Sequence, residues 1–128
     1  MDDRERHASG MKVRREILGA AHVDKAEAAK TPFTEPFQDF ITRYAWGEIW
    51  SRPGLPRKTR SLITLAMMVA LNRGDEFRMH VRAALNNKVS REEIREMLLQ
   101  TAIYCGLPAA NAAFHIAQEV FAELDAAK

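Results

Sequence analysis

The segment from Arg57 to Leu71 constrains the fold more than any other stretch. Leu62, Ile63, Leu65, Ala66, Met67, Met68, Val69 and Leu71 are nearly consecutive there. A helix this apolar around most of its circumference belongs at the centre of a core or in a subunit interface. At 128 residues the chain is long enough for one domain, residues 1–128, built on one such core. No stretch alternates as a strand does, and no internal repeat is evident. The chain therefore reads as all-α, with six or seven helices.

Residues 1–10 are mostly polar and predict a flexible end. From Met11, the set Val13, Ile17, Leu18 and Ala21 recurs at helical spacing, with Arg14, Arg15 and Glu16 between. Val23 to Lys30 is alanine-rich and predicts a short second helix, stopped at Thr31-Pro32. Thr34-Glu35-Pro36 reads as a helix start with a capping hydroxyl, and Phe37, Phe40, Ile41, Tyr44 and Ala45 as its buried stripe. That helix runs on through Trp46 to Trp50, with Gly47 leaving room for a close approach. Ser51 to Pro56 is a turn.

After the apolar helix, Asn72-Arg73-Gly74 makes the break, with Gly74 as the expected C-terminal cap. Asp75 to Asn86 predicts a helix carrying Phe77, Val81, Ala84 and Leu85 on one side. Ser90-Arg91-Glu92-Glu93 is a capping box, which opens a helix with Ile94, Met97, Leu98, Ala102 and Ile103. That helix ends near Gly106. Pro108 opens the last one, in which Ala112, His115, Ile116, Glu119 and Val120 recur at helical spacing.

Charge and composition exclude several function classes. Nineteen basic and seventeen acidic residues leave a net charge of +2, with the basic residues scattered rather than patched. Neither a nucleic-acid surface nor a membrane surface fits that distribution. The single cysteine, Cys105, rules out an internal disulfide and a Cys-x-x-Cys redox pair. No apolar run approaches the ~18 residues of a membrane span, and the N-terminus lacks a signal-peptide core. The expected location is the cytoplasm.

The polar residues with most chemical promise follow the apolar helix. In a helix starting at Asp75, Glu76 and His80 stand one turn apart on the same face. A carboxylate beside an imidazole is a proton-transfer pair, although a surface ion pair has the same spacing. One His and one Glu are too few to hold a metal. Arg73 opens the same segment with a cation. Arg43, Glu48 and Arg52 surround the two tryptophans, and Arg52 has the planar fork that grips a carboxylate. Solvated charges at a helix end are the plainer account of these three. Tyr104 and Cys105 sit at a helix corner and read first as packing, as does His115 in the last helix. His7 and His22 have no expected role.

Three runs then resemble a known family. They are Thr42 to Leu55 (TRYAWGEIWSRPGL), Glu76 to Leu85 (EFRMHVRAAL) and Ile103 to Asn111 (IYCGLPAAN). The chain is similar to the stand-alone enzymes of the carboxymuconolactone decarboxylase family over roughly Met11 to Leu124, the tryptophan segment being the part specific to those enzymes. The wider AhpD-like superfamily includes thiol peroxidases whose site reads Cys-x-x-Cys-x-x-x-His, with a glutamate upstream. In that register the two cysteine positions fall on Arg73 and Glu76, the glutamate on Ser61, and only His80 is kept. Disulfide exchange at this place is thereby excluded.

The resemblance implies an AhpD-like helical bundle that forms homo-trimers or homo-hexamers and needs no cofactor. The implied reaction is decarboxylation of 4-carboxymuconolactone, a lactone dicarboxylate, to the enol-lactone of 3-oxoadipate in protocatechuate breakdown. In that setting His80 delivers a proton, oriented or recharged by Glu76. Arg52, Arg73 and Tyr104 bind carboxylates or the lactone oxygen, and Glu48 orients an arginine. Competing expectations are a thiol peroxidase or reductase built on Cys105, and a non-catalytic oligomeric scaffold. Lys88 stands where relatives usually carry glycine, so a left-handed turn falls either on it or on Asn87.

Overall fold

The structure, a computed structural model, describes residues 2–128, so Met1 of the expected flexible end lies outside the described residues. The described chain is all-α, as expected. It comprises α1 (Asp3–Leu18), α2 (Ala20–Ala28), α3 (Glu35–Ile41), a π-helical segment (Thr42–Ile49), α4 (Arg57–Ala70), α5 (Gly74–Asn86), α6 (Arg91–Cys105) and α7 (Leu107–Ala126). It divides into two compact units at Arg57–Lys58.

In the first unit, helix begins far earlier than the expected start at Met11. Asp2 caps α1 by accepting from the Glu5 amide at 2.8 Å, and Asp3 and Glu5 place negative charge in its first turn. The polar composition that suggested a flexible end is that of a well-capped first turn. Gly10, Val13, Arg14 and Ile17 form the buried face of α1, which packs along the π-helical segment. A Cβ on Gly10 would collide with the Thr42 carbonyl oxygen, and one on Gly47 would stand 2.6 Å from the Arg6 carbonyl oxygen. Only glycines permit this backbone approach, so the expectation for Gly47 holds.

Two expectations for α3 fail. Thr34 has helical φ and ψ and makes no side-chain cap; its hydroxyl instead accepts from the Thr31 amide at 2.9 Å, closing the turn that precedes the helix. The expected stripe is not buried either: Phe37 and Phe40 are 62% and 56% exposed, Tyr44 is exposed too, and Ile41 and Ala45 are only half-buried. Periodicity identified one face of a helix but could not say what covers it.

The second unit is built on one apolar cluster. Leu65 and Val69 from α4, Phe77, Val81 and Ala84 from α5, Ile94 and Leu98 from α6, and Ala113, Ala117 and Val120 from α7 meet there. Each fully buried Leu, Ile, Val or Phe side chain contributes roughly 1.5–3 kcal/mol. The inward face of α7 is set by Ala110, Ala113, Ala117 and Val120, which leaves His115 exposed rather than packed. Small residues on that face allow α5 and α6 to approach closely. Arg78 and Arg82 on α5 pair with Glu119 and Glu123, and Arg91 grips Asp125 with both terminal nitrogens at 3.1 and 2.7 Å. These exposed pairs fix the register of α7 and add little stability.

Helix ends in this unit follow local chemistry. The Ser90–Glu93 capping box is present with both reciprocal bonds, and Pro108 lies in the first turn of α7. Gly74 does not cap α4. Asn72 takes the left-handed conformation (φ 59°), and Gly74 is already the first residue of α5. Asparagine tolerates that region through its short polar side chain, so the break needs no glycine. Lys88 takes the other left-handed position, at φ 69°, while Asn87 stays at φ −90°. Lys88→Gly should therefore raise unfolding free energy by about 1 kcal/mol, read from urea denaturation at fixed protein concentration. An unchanged midpoint would show that the turn carries no strain.

Candidate active site

Glu76 and His80 occupy successive turns of α5, and the residue types around them explain the placement. Asp75 and Glu76 supply the acidic first turn that complements the helix N-terminus, with Arg73 at the N-cap. Phe77, Val81 and Ala84 point into the core, which fixes the rotation of α5 about its axis. That rotation leaves Glu76 exposed and His80 half-buried, with a bonded or electrostatic partner for His80. Both side chains therefore stand on a face held rigid from beneath, as proton transfer requires. The Arg73 carbonyl accepts from the Phe77 amide at 2.8 Å, so the arginine is tied to the start of the same helix.

Two shallow recesses flank other predicted residues of this unit. Arg73 borders one with Met68, Asn72, Phe77 and Ile116. Tyr104 and Cys105 border another, with Ala66, Met97 and Thr101. Tyr104 is 83% exposed and Cys105 exposed, so the packing role expected for both at the helix corner is not found within this chain. Arg73 and Tyr104 thus stand at different recesses. Among the described residues, no three His, Cys, Asp or Glu side chains are grouped to hold a metal ion.

Glu48 and Arg52 lie in the first unit. Glu48 leaves the π-helical segment toward α1, where its Oε2 is 3.5 Å from Arg6 Nε; Arg6 also bonds Asp3 at 3.0 Å and lies over the Tyr44 ring. An arginine does accompany Glu48, but it is Arg6. Arg52 is exposed in the turn just past the segment, its amide donating to the Ile49 carbonyl at 3.2 Å. Trp46 and Trp50 sit against each other with ring centroids 5.3 Å apart.

Sequence reasoning missed Arg14. The residue is 4% exposed, its guanidinium donating to Gln38 Oε1 at 3.0 Å and Thr42 Oγ1 at 3.3 Å, with Glu27 Oε1 at 3.6 Å. Burial pushes its pKa down and Glu27 opposes that shift, so the charge is retained through pairing. A signal existed: Arg14 falls on the face of Gly10, Val13 and Ile17, and a charge within an apolar stripe needs partners.

Comparison with known proteins adds to this geometry. The sequence profile of the carboxymuconolactone decarboxylase family matches residues 35–119. The chain is 52% identical over 124 residues to the 4-carboxymuconolactone decarboxylase of Acinetobacter baylyi, covering 97% of this chain and 92% of that protein. It is 44% identical over 115 residues to the nitrosuccinic acid decarboxylase of Metarhizium robertsii, covering 90% and 80%. A 4-carboxymuconolactone decarboxylase sequence from Pseudomonas putida matches along its whole length at 46% identity over 48 residues, 38% of this chain.

Proposed function

The chain belongs to the carboxymuconolactone decarboxylase family, and we propose that it removes CO2 from 4-carboxymuconolactone to give the enol-lactone of 3-oxoadipate. The observation that carries this reading is 52% identity across 97% of the chain to a protein of that activity. Substrate chemistry explains how side chains alone can suffice. The carboxylate departs from a carbon conjugated, through a double bond, to the lactone carbonyl. When the C–CO2 bond breaks, its electron pair spreads to that carbonyl as a dienolate, and a proton returned to carbon completes the reaction. The protein must hold a dianion, stabilise the developing oxyanion and deliver that proton.

In this reading His80 delivers the proton and Glu76 orients or recharges it. Arg52 and Arg73 bind the retained carboxylate and the lactone oxygen, with Tyr104 as a further donor and Glu48 as a positioning group. A firm grip on the departing carboxylate would stabilise the ground state without speeding its loss. One arginine therefore belongs on the retained acetate arm, with a less polar seat for the leaving group. The working protein is read as a cytoplasmic homo-trimer or homo-hexamer, which the uncovered apolar faces of both units support.

A second substrate deserves direct comparison, because the Metarhizium robertsii relative is named for nitrosuccinic acid. That compound is also a dicarboxylic acid, and its nitro group can accept the electron pair as a nitronate. Purified protein should release CO2 from 4-carboxymuconolactone with kcat/KM at least about 100-fold above that for nitrosuccinate, since binding contacts set such ratios. The reverse order would reassign the substrate. No release from either acid, with peroxide consumed by a dithiol and lost in Cys105→Ser, would favour the thiol peroxidase.

A further inference from the structure

The π-helical segment departs from regular helix between α3 and the turn that holds Arg52, and such segments are rare because the wider turn is costly. Its widened ladder shows in the Trp50 amide, which donates to the Ala45 carbonyl, five residues back, at 2.8 Å. Thr42, 1% exposed, stands at the start of the segment with its hydroxyl engaged. It donates to the Gln38 carbonyl at 2.8 Å, one turn earlier, and accepts from Arg14. The other arm of the same guanidinium holds the Gln38 side chain at 3.0 Å. Arg14 thus brackets the last regular turn, and Gly10 and Gly47 let the α1 backbone press against the first wide one.

We infer that Arg14 and Thr42 are positioning residues, pinning the π-helical segment so that Glu48 keeps its place against Arg6 and Arg52 faces the substrate. Regular helix holds 3.6 residues per turn, so removing the extra residue of the wide turn would rotate everything after it by about 100°. Glu48 and Arg52 both lie downstream of Thr42. A buried arginine with a carboxylate partner is a poor stabiliser but an effective selector of one register. The inference rests on the reading of Arg52 as a substrate-binding group.

Thr42→Val keeps the shape of the side chain and removes its hydroxyl, whereas Thr42→Ser keeps the hydroxyl. The chain has two tryptophans, Trp46 within the segment and Trp50 at its end, so indole fluorescence and near-ultraviolet circular dichroism report on this place selectively. In Thr42→Val the tryptophan signature should change while far-ultraviolet helicity is kept. KM for 4-carboxymuconolactone should rise about tenfold or more with kcat within about twofold, the pattern of lost uniform binding. Thr42→Ser should restore both. An unchanged tryptophan signature in Thr42→Val overturns the pin. A changed signature with unchanged KM overturns its link to substrate. If the wild-type protein turns over no lactone, the decarboxylase reading fails instead, and the tryptophan comparison still decides the pin.

Discussion

His80→Gln should lower kcat for 4-carboxymuconolactone by about 10²–10⁴-fold, the range a positioned general acid supplies. That corresponds to roughly 2.7–5.5 kcal/mol of transition-state stabilisation. Glutamine keeps hydrogen-bonding atoms near the ring's position but has no proton to deliver at neutral pH. His80 is half-buried on a helix anchored by Phe77 and Val81, so the substitution leaves the core untouched. KM should change little, because the group acts on charge that develops only as CO2 leaves. Glu76→Gln should cost less, about tenfold, if the carboxylate orients or recharges the imidazole. Arg52→Ala should instead raise KM. Steady-state CO2 release by the three variants and wild type separates these effects, and near-normal turnover in His80→Gln removes the proposed acid.

What could be read from the sequence was what depends on neighbours in the chain. The capping box at Ser90, the proline in the first turn of α7 and the inward set Phe77, Val81 and Ala84 are local patterns with local causes. The left-handed residue at the end of α4 was misassigned because two residue types tolerate it, and the earlier one, Asn72, takes it. The π-helical segment was illegible for a different reason. Thr42 to Ile49 carries no periodicity that separates five-residue from four-residue bonding. The groups that meet the start of the wide turn, Arg14 and Gly10, lie about thirty positions upstream.

The candidate site was legible to the same degree. Placing Glu76 and His80 on one face required only that α5 be a helix. The partner of Glu48 required tertiary structure: Arg6 lies in a stretch expected to be flexible, and only the early start of α1 brings it to the segment. Tyr104 illustrates the converse. A tyrosine in an apolar helix corner reads as packing, yet within this chain it is 83% exposed. Hydrophobic spacing marks a face that avoids water without saying whether this chain or another covers it.

That distinction yields the second large effect. Leu99 and Ile103 lie one turn apart on α6, and Leu107 follows at the start of α7, 51%, 79% and 71% exposed respectively. Ile63, Met67 and Leu71 form a similar exposed row along α4 and just past its end. Apolar rows of this kind on a single chain mark association surfaces. Wild-type protein at micromolar concentration should therefore sediment at three or six times its 14.5 kDa chain mass. Ile103→Asp places a charge where the proposed contact excludes water, at a cost of several kcal/mol per copy. Each 1.4 kcal/mol weakens association about tenfold, so the variant should sediment as a smaller species. Its far-ultraviolet helicity should stay at the wild-type level, because Ile103 is not part of the chain's own core. A wild-type monomer would remove the proposed assembly, and an Ile103→Asp variant of unchanged mass would move the contact away from the Leu99–Ile103–Leu107 row.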